Sequence, residues 1–188
     1  MLVLTSVHGK VQAMEHKKAI FAGGCFWCIE ASFDHYGREG VVSVTSGYTG
    51  GDEPNPTYEQ VSAGKTGHKE AIEVVYDPAN MSYEKLLEIF WSNIDPTDEG
   101  GQFYDRGKHY QTAIFYLDEE QKAQAEASKR AKARQLQKII HTAILPAKPF
   151  YPAEEYHQEY YKKEPSRYNA YKKGSGREEK LKQIWDKR

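Results

Sequence analysis

The chain has 188 residues, 39% of them hydrophobic and 13% aromatic, enough for one folded core with aromatic surface left to line a cleft. A formal net charge of -1 argues against a dedicated nucleic-acid binder, and no apolar run has the length that spans a membrane. Two cysteines at positions 25 and 28 exclude a secreted disulfide framework and leave a reducing cytoplasm as the expected location.

Residues 1–17 show no periodicity and read as a loose arm; the apolar start is too short for a signal peptide, and a single domain is expected over 18–188. Residues 18–22 form an apolar, strand-like run that ends at Gly23 and Gly24. A helical pattern opens at Cys25 and continues through Ala31, Phe33 and Tyr36. Residues 41–48 alternate as a strand, and 49–56 are a loop dense in turn formers. Thr57 and Gln60 have capping-box spacing for a short helix to Ala63. Residues 71–76 read as a strand ended by Asp77 and Pro78, and Ser82 caps a helix whose apolar face is Leu86, Leu87, Phe90 and Trp91. Residues 95–108 read as loop, and 112–117 as strand. Asp118 and Gln121 begin a long helix to about Gln137, so poor in apolar residues that it must lie on the surface. Residues 141–145 read as a last strand, and beyond Pro152 a segment rich in Tyr, Lys and Glu is expected to wrap the body. Residues 1–118 carry 9 Lys and Arg against 17 Asp and Glu, and residues 119–188 carry 17 against 10, as a solvated helix and tail would. The alternation of elements predicts an α+β fold, a two-layer α/β sandwich.

The segment Gly23-Gly24-Cys25-Phe26-Trp27-Cys28 carries the sharpest chemical signal. A cysteine in the first turn of a helix faces unpaired N–H groups and the positive dipole end, which lowers its pKa and makes a reactive thiolate. Phe26 and Trp27 supply an apolar wall beside it. The alternative for Cys25 is a buried structural thiol. Cys28 has the spacing to resolve an oxidised Cys25 into a disulfide, and its alternative is a core position. Glu70, at the entrance to a strand, becomes a general acid if an apolar pocket raises its pKa; otherwise it is a surface carboxylate. Tyr58 and Tyr110 flank loops on either side of that strand, although in a chain with fourteen tyrosines any one is more often packing. His157 and Tyr160 have the spacing to share a helical face. No second thiol pair or paired-histidine spacing supports a zinc site. His68 and Glu70 lack the downstream cysteine pair of a zinc deaminase.

Gly24-Cys25-Phe26-Trp27 resembles the active-site motif of the type A peptide methionine sulfoxide reductases. Six further blocks follow in that family's order: Val44 to Gly51, Tyr58 to Glu70, Tyr76 to Pro78, Asp95 to Thr97, Asp105 to Tyr110 and Tyr156 to Tyr160; Tyr171 to Arg177 ends the series, and the likeness spans about residues 18–186. The resemblance implies a ferredoxin-like α+β fold around a mixed sheet and reduction of the S epimer of methionine sulfoxide, free or in proteins. It implies Cys25 as nucleophile and Glu70 as the acid that protonates the sulfoxide oxygen. Tyr58 and Tyr110 would hydrogen-bond that oxygen, Phe26 and Trp27 would hold the methyl group, and Asp105, His157 and Tyr160 would support substrate binding. It further implies no metal or organic cofactor, an external reductant (thioredoxin, or dithiothreitol in the test tube), and action as a cytoplasmic monomer. The tail from Lys162 to Arg188 has no cysteine, which leaves Cys28 as the internal candidate to resolve Cys25, against direct reduction by an external thiol. Where the family commonly has Gln-Tyr-Arg-Ser, this chain has His109-Tyr110-Gln111-Thr112. Two other classes compete: a general thiol–disulfide oxidoreductase using Cys25 and Cys28, and a non-enzymatic module that binds methionine-rich segments in an aromatic groove.

Overall fold

The computed structural model describes residues 15–186, so most of the expected N-terminal arm lies outside the described residues. Eight strands and seven α-helices are formed among them: β1 (Lys17–Ala22), α1 (Phe26–Asp34), β2 (Val41–Thr49), α2 (Tyr58–Ser62), β3 (Lys69–Tyr76), α3 (Tyr83–Ser92), β4 (Gly101–Gln102), β5 (Asp105–Arg106), β6 (Ala113–Tyr116), α4 (Glu119–Leu136), β7 (Ala143–Pro146), β8 (Tyr151–Pro152), α5 (Tyr160–Lys163), α6 (Pro165–Gly174) and α7 (Arg177–Trp185). Six strands make one mixed sheet in the order β7-β6-β1-β3-β2-β8. Its pairings are antiparallel except for β6 with β7.

Period-2 alternation divides β1 between two faces. Ala19 and Phe21 join the main core with Ile72 and Val74 of β3, while Ile20 and Ala22 face the other side with Ala71, Ala113 and Phe115. On the first face, Phe21 stacks on Phe33 of α1 at 5.3 Å and on Phe90 of α3 at 5.1 Å, tying both helices to the sheet. The second face is covered by Ala147 and Phe150, from the segment between β7 and β8. Gly47 permits that cover, because a Cβ there would lie 2.5 Å from the Phe150 ring and 2.4 Å from the Tyr151 carbonyl.

The caps follow their expected chemistry. Thr57 and Gln60 form the reciprocal capping box of α2, and Ser82 and Asp118 accept from Lys85 and Gln121 backbone N–H groups. The Gln121 side chain does not close a box on Asp118; it bridges Leu117 N–H and Lys18 C=O instead, fastening α4 to β1. As its composition requires, α4 buries only Gln121 and Ala125.

Two readings need correction. Residues 95–108 are not wholly loop: β4 and β5 pair as a short hairpin, with Phe103 at φ 57° at its tip. The period is too short to be seen in sequence. The wrapping tail is also more regular than its composition suggests, since it folds into α5, α6 and α7. It is fixed by one stripe of α1. Trp27, Glu30 and Asp34 stand at helical spacing in a stripe beside that of Phe26, Ile29 and Phe33, which enters the core. Tyr160 stacks on Trp27 at 4.0 Å, the Glu159 N–H donates to both Glu30 carboxylate oxygens at 3.0 Å, and Lys162 pairs with Asp34 at 2.7 Å. No helix among the described residues is long and apolar enough to cross a membrane.

Candidate active site

The site lies where β1 runs into α1. Gly24 takes a φ of +84°, and a Cβ there would lie 2.7 Å from the Gln102 side chain, so the turn demands glycine. Cys25 follows as the N-cap residue of α1, with Cys28 one turn later. Both are free thiols, 4% and 3% exposed.

Glu70 reaches the same helix end from the sheet. It lies at the entrance to the strand as expected, the second residue of β3, paired in register with Tyr48. Its parity with Ile72 and Val74 turns it to the face that carries α1. There its Oε2 accepts the Phe26 N–H at 3.0 Å. The carboxyl is 2% exposed, and burial pushes its pKa up to about 8, against the opposing pull of that hydrogen bond.

This arrangement overturns the expected depression of the Cys25 pKa. Glu70, not the sulfur, takes the N–H at the start of the helix. Burial, with hydrogen bonding to Cys28 and the nearby Cys28 and Glu70 charges, pushes the Cys25 thiol well up. The Cys28 thiol is instead brought down to about 7, chiefly by its hydrogen bond from Cys25, with help from Arg177 and Tyr168.

The remaining expected residues converge here in different ways. Tyr58 opens α2, and burial beside Glu70 and Cys25 pushes its phenol up to about 12. Tyr110 ends a 3-10 turn over Lys108–Tyr110; it packs with the cysteine cluster, and burial and the same charges also raise its pKa. Both phenols therefore stay protonated donors at neutral pH. Phe26 is buried, and Trp27 is half-buried at its edge.

His157 and Tyr160 do not share a helical face. His157 ends a 3-10 turn, Gln158 is extended, and Glu159 at φ 51° starts a new helix. They meet on Trp27 nonetheless: His157 Nδ1 accepts the indole N–H at 3.0 Å, and Tyr160 stacks on the ring. That bond assigns the His157 proton to Nε2, and burial lowers the ring's pKa, keeping it neutral. Asp105 reaches the site through Tyr171, whose hydroxyl donates to it.

Sequence reading passed over four contributors. Tyr168 of α6 is buried in one cluster with Cys25 and Cys28, and Tyr171 packs against it. Glu154 accepts the Tyr58 backbone N–H at 2.9 Å and the Tyr48 hydroxyl at 2.8 Å, locking α2 beside the site. Arg177, the first residue of α7, is buried against the Gly23 carbonyl. Tyr171 and Arg177 bound a family-like block that could have marked them; nothing in periodicity marks Tyr168 or Glu154. Among the described residues, no cluster of three or more His, Cys, Asp or Glu is arranged to hold a metal ion.

A buried thiol pair on a helix end, faced by a carboxyl that is neutral at physiological pH, belongs to the class of thiol-dependent oxidoreductases. Known proteins narrow that class. The family described as peptide methionine sulfoxide reductase matches residues 17–188. A peptide methionine sulfoxide reductase MsrA of Bacillus licheniformis is 52% identical over 178 residues, covering 94% of this chain and 97% of that protein. Mxr1 from Saccharomyces cerevisiae in reduced form superposes with a TM-score of 0.77 at 30% identity, over 87% of this chain and 94% of that one. Methionine sulfoxide reductase A of Corynebacterium diphtheriae gives 0.72 at 32% identity, over 82% and 77%. The chain belongs to the peptide methionine sulfoxide reductase family.

Proposed function

We propose that this chain reduces the S epimer of methionine sulfoxide, free or in proteins, through Cys25, Glu70 and Cys28. The observation that carries this reading is the Phe26 N–H to Glu70 bond of 3.0 Å, which holds a buried, proton-bearing carboxyl at the helix end capped by Cys25. A sulfoxide oxygen is a poor leaving group until it is protonated, so nucleophile and acid must act on one substrate together.

Cys25 gives its proton to Cys28 across their hydrogen bond, and its thiolate attacks the sulfoxide sulfur. Glu70 protonates the oxygen, with Tyr58 and Tyr110 as additional donors to it. The protonated oxygen passes from the substrate sulfur to Cys25 Sγ as the Sγ–S bond made by the attack breaks, so methionine leaves as the thioether and Cys25 is left as the sulfenic acid. The Cys28 thiol then displaces water from it, forming the Cys25–Cys28 disulfide. An external dithiol, for which we propose thioredoxin, takes that disulfide back to two thiols and is itself oxidised. Phe26 and Trp27 form the wall for the substrate methyl group, with Trp27 held by His157 and Tyr160. Asp105 acts through Tyr171.

The whole reading fits a single domain over 18–188 that works as a monomer in the cytoplasm. Substitution Cys25→Ser tests it: a hydroxyl is too weak a nucleophile here, and sulfoxide turnover should vanish. Turnover at the parent rate in that variant would remove Cys25 from the mechanism.

A further inference from the structure

Arg177 is an unusual buried cation. It is 3% exposed, yet among the described residues no carboxylate lies within 4.0 Å of its guanidinium. Its Nη1 donates to the Asn93 carbonyl at 2.6 Å and its Nη2 to the Gly23 carbonyl at 3.3 Å, while Nε has no partner. The Phe103 ring lies under it, 4.6 Å from Cζ. Burying a charge without a counter-charge is expensive. Asn93 follows the last turn of α3, where helix carbonyls offer at most about half a negative charge. Arg177 therefore has positive charge left over, and its position shows where that charge is felt. A Cβ on Gly24, the neighbour of Cys25, would lie 3.3 Å from Nη2.

We propose that Arg177 is a positioning residue whose charge holds one thiolate on the Cys25–Cys28 pair. This rests on the reading of those cysteines as the redox pair. The groups that face the pair favour the assignment. Glu70 from β3 and Asp105 from β5 oppose a thiolate, Tyr58, Tyr110, Tyr168 and Tyr171 are neutral, with the Tyr171 hydroxyl already given to Asp105, and Arg177 from α7 is the cation. A pair that has already lost one proton can present Cys25 as thiolate by moving the remaining proton to Cys28 when substrate arrives. Arg177 thereby makes the tail part of the nucleophile's activation as well as its cover.

The test is a pH titration of thiolate absorbance near 240 nm in the reduced full chain, checked as folded by near-ultraviolet circular dichroism. Arg177→Gln keeps a donor for the carbonyls without the charge, Arg177→Met removes both, and Arg177→Lys keeps the charge. Both neutral variants should move the first thiolate midpoint up by about one pH unit, and Arg177→Lys should stay closer to the parent. A folded neutral variant with the parent's midpoint would overturn the proposal, as would Arg177→Lys moving as far as Arg177→Gln. The parent alone can also overturn it: a first midpoint near the ordinary value of 9.0 would show that the pair holds no stabilised charge. Because this titration needs no turnover, the expected shifts in a chain that fails to reduce sulfoxide would sink the proposed function and leave the charge assignment standing.

Discussion

At the scale of single residues, the division of labour between Cys25 and Glu70 depends on where each side chain finds its hydrogen bonds. Glu70→Gln separates chemistry from folding cleanly. The amide oxygen still accepts the Phe26 N–H, so α1 keeps its start, but no acidic proton remains. The chemical step, measured in single turnover, should fall by about 10² to 10⁴. In the parent the same step should depend on pH as a bell. It rises as the Cys28 thiol deprotonates near 7 and falls as Glu70 loses its proton near 8. A rate that keeps rising above pH 9 would exclude Glu70 as the acid. The sequence made Cys25, Glu70 and the flanking aromatics legible because their types and spacing are chemically specific. It misplaced the low-pKa sulfur, since the helix-end argument cannot know that Glu70 occupies the N–H in question or that the tail buries the thiol.

At the scale of elements, α1 is a two-sided device, one stripe in the core and the other holding the tail. Cys28 sits on it one turn beyond Cys25, so resolution needs no movement of a distant segment. In Cys28→Ser the enzyme should still release one methionine per chain but stop at a Cys25 sulfenic acid. Dimedone should label that acid in the variant and leave the parent, closed as a disulfide, largely unlabelled. Thioredoxin-coupled turnover should drop severely; unchanged turnover would mean that an external thiol reduces Cys25 directly. Tyr160→Ala should remove the stack that fixes Trp27 and raise KM for the sulfoxide more than it lowers kcat. Capping residues made α2, α3 and α4 readable from sequence, alternation did so for β2, and an apolar run ended by Asp77 and Pro78 did so for β3. The β4–β5 hairpin was not readable, because two-residue strands carry no period. Nor was the turn that joins His157 to Tyr160, because a left-handed glutamate held by Glu30 is a tertiary effect.

At the scale of the whole molecule, two buried carboxyls tie stability to pH. Burial raises Glu30 to about 7 and Glu70 to about 8, from 4.5. A carboxyl with a raised folded pKa binds its proton more tightly in the native state, so its stabilising contribution is complete below about 4.5 and is lost as pH rises through 7 to 8. Urea unfolding should therefore show stability declining as pH rises across that window. Glu70→Gln should flatten part of the decline and be more stable than the parent at pH 8. A parent whose stability is constant from pH 5 to 8 would contradict this. The sheet order and the layering agree with the α+β sandwich expected from alternating elements, but the docking of the tail did not follow from composition. Its charge pattern is that of a solvated surface, while its decisive residues, Tyr168, Tyr171 and Arg177, are the few that face inward.

The central claim is that this site delivers a thiolate and a proton to a sulfoxide of one handedness. Its most direct test is consumption of separated S and R epimers of methionine sulfoxide by the reduced chain, with dithiothreitol as the only reductant. The S epimer should be converted to methionine and the R epimer left intact. Consumption of the R epimer instead, or of neither by a folded chain with both thiols reduced, would contradict it.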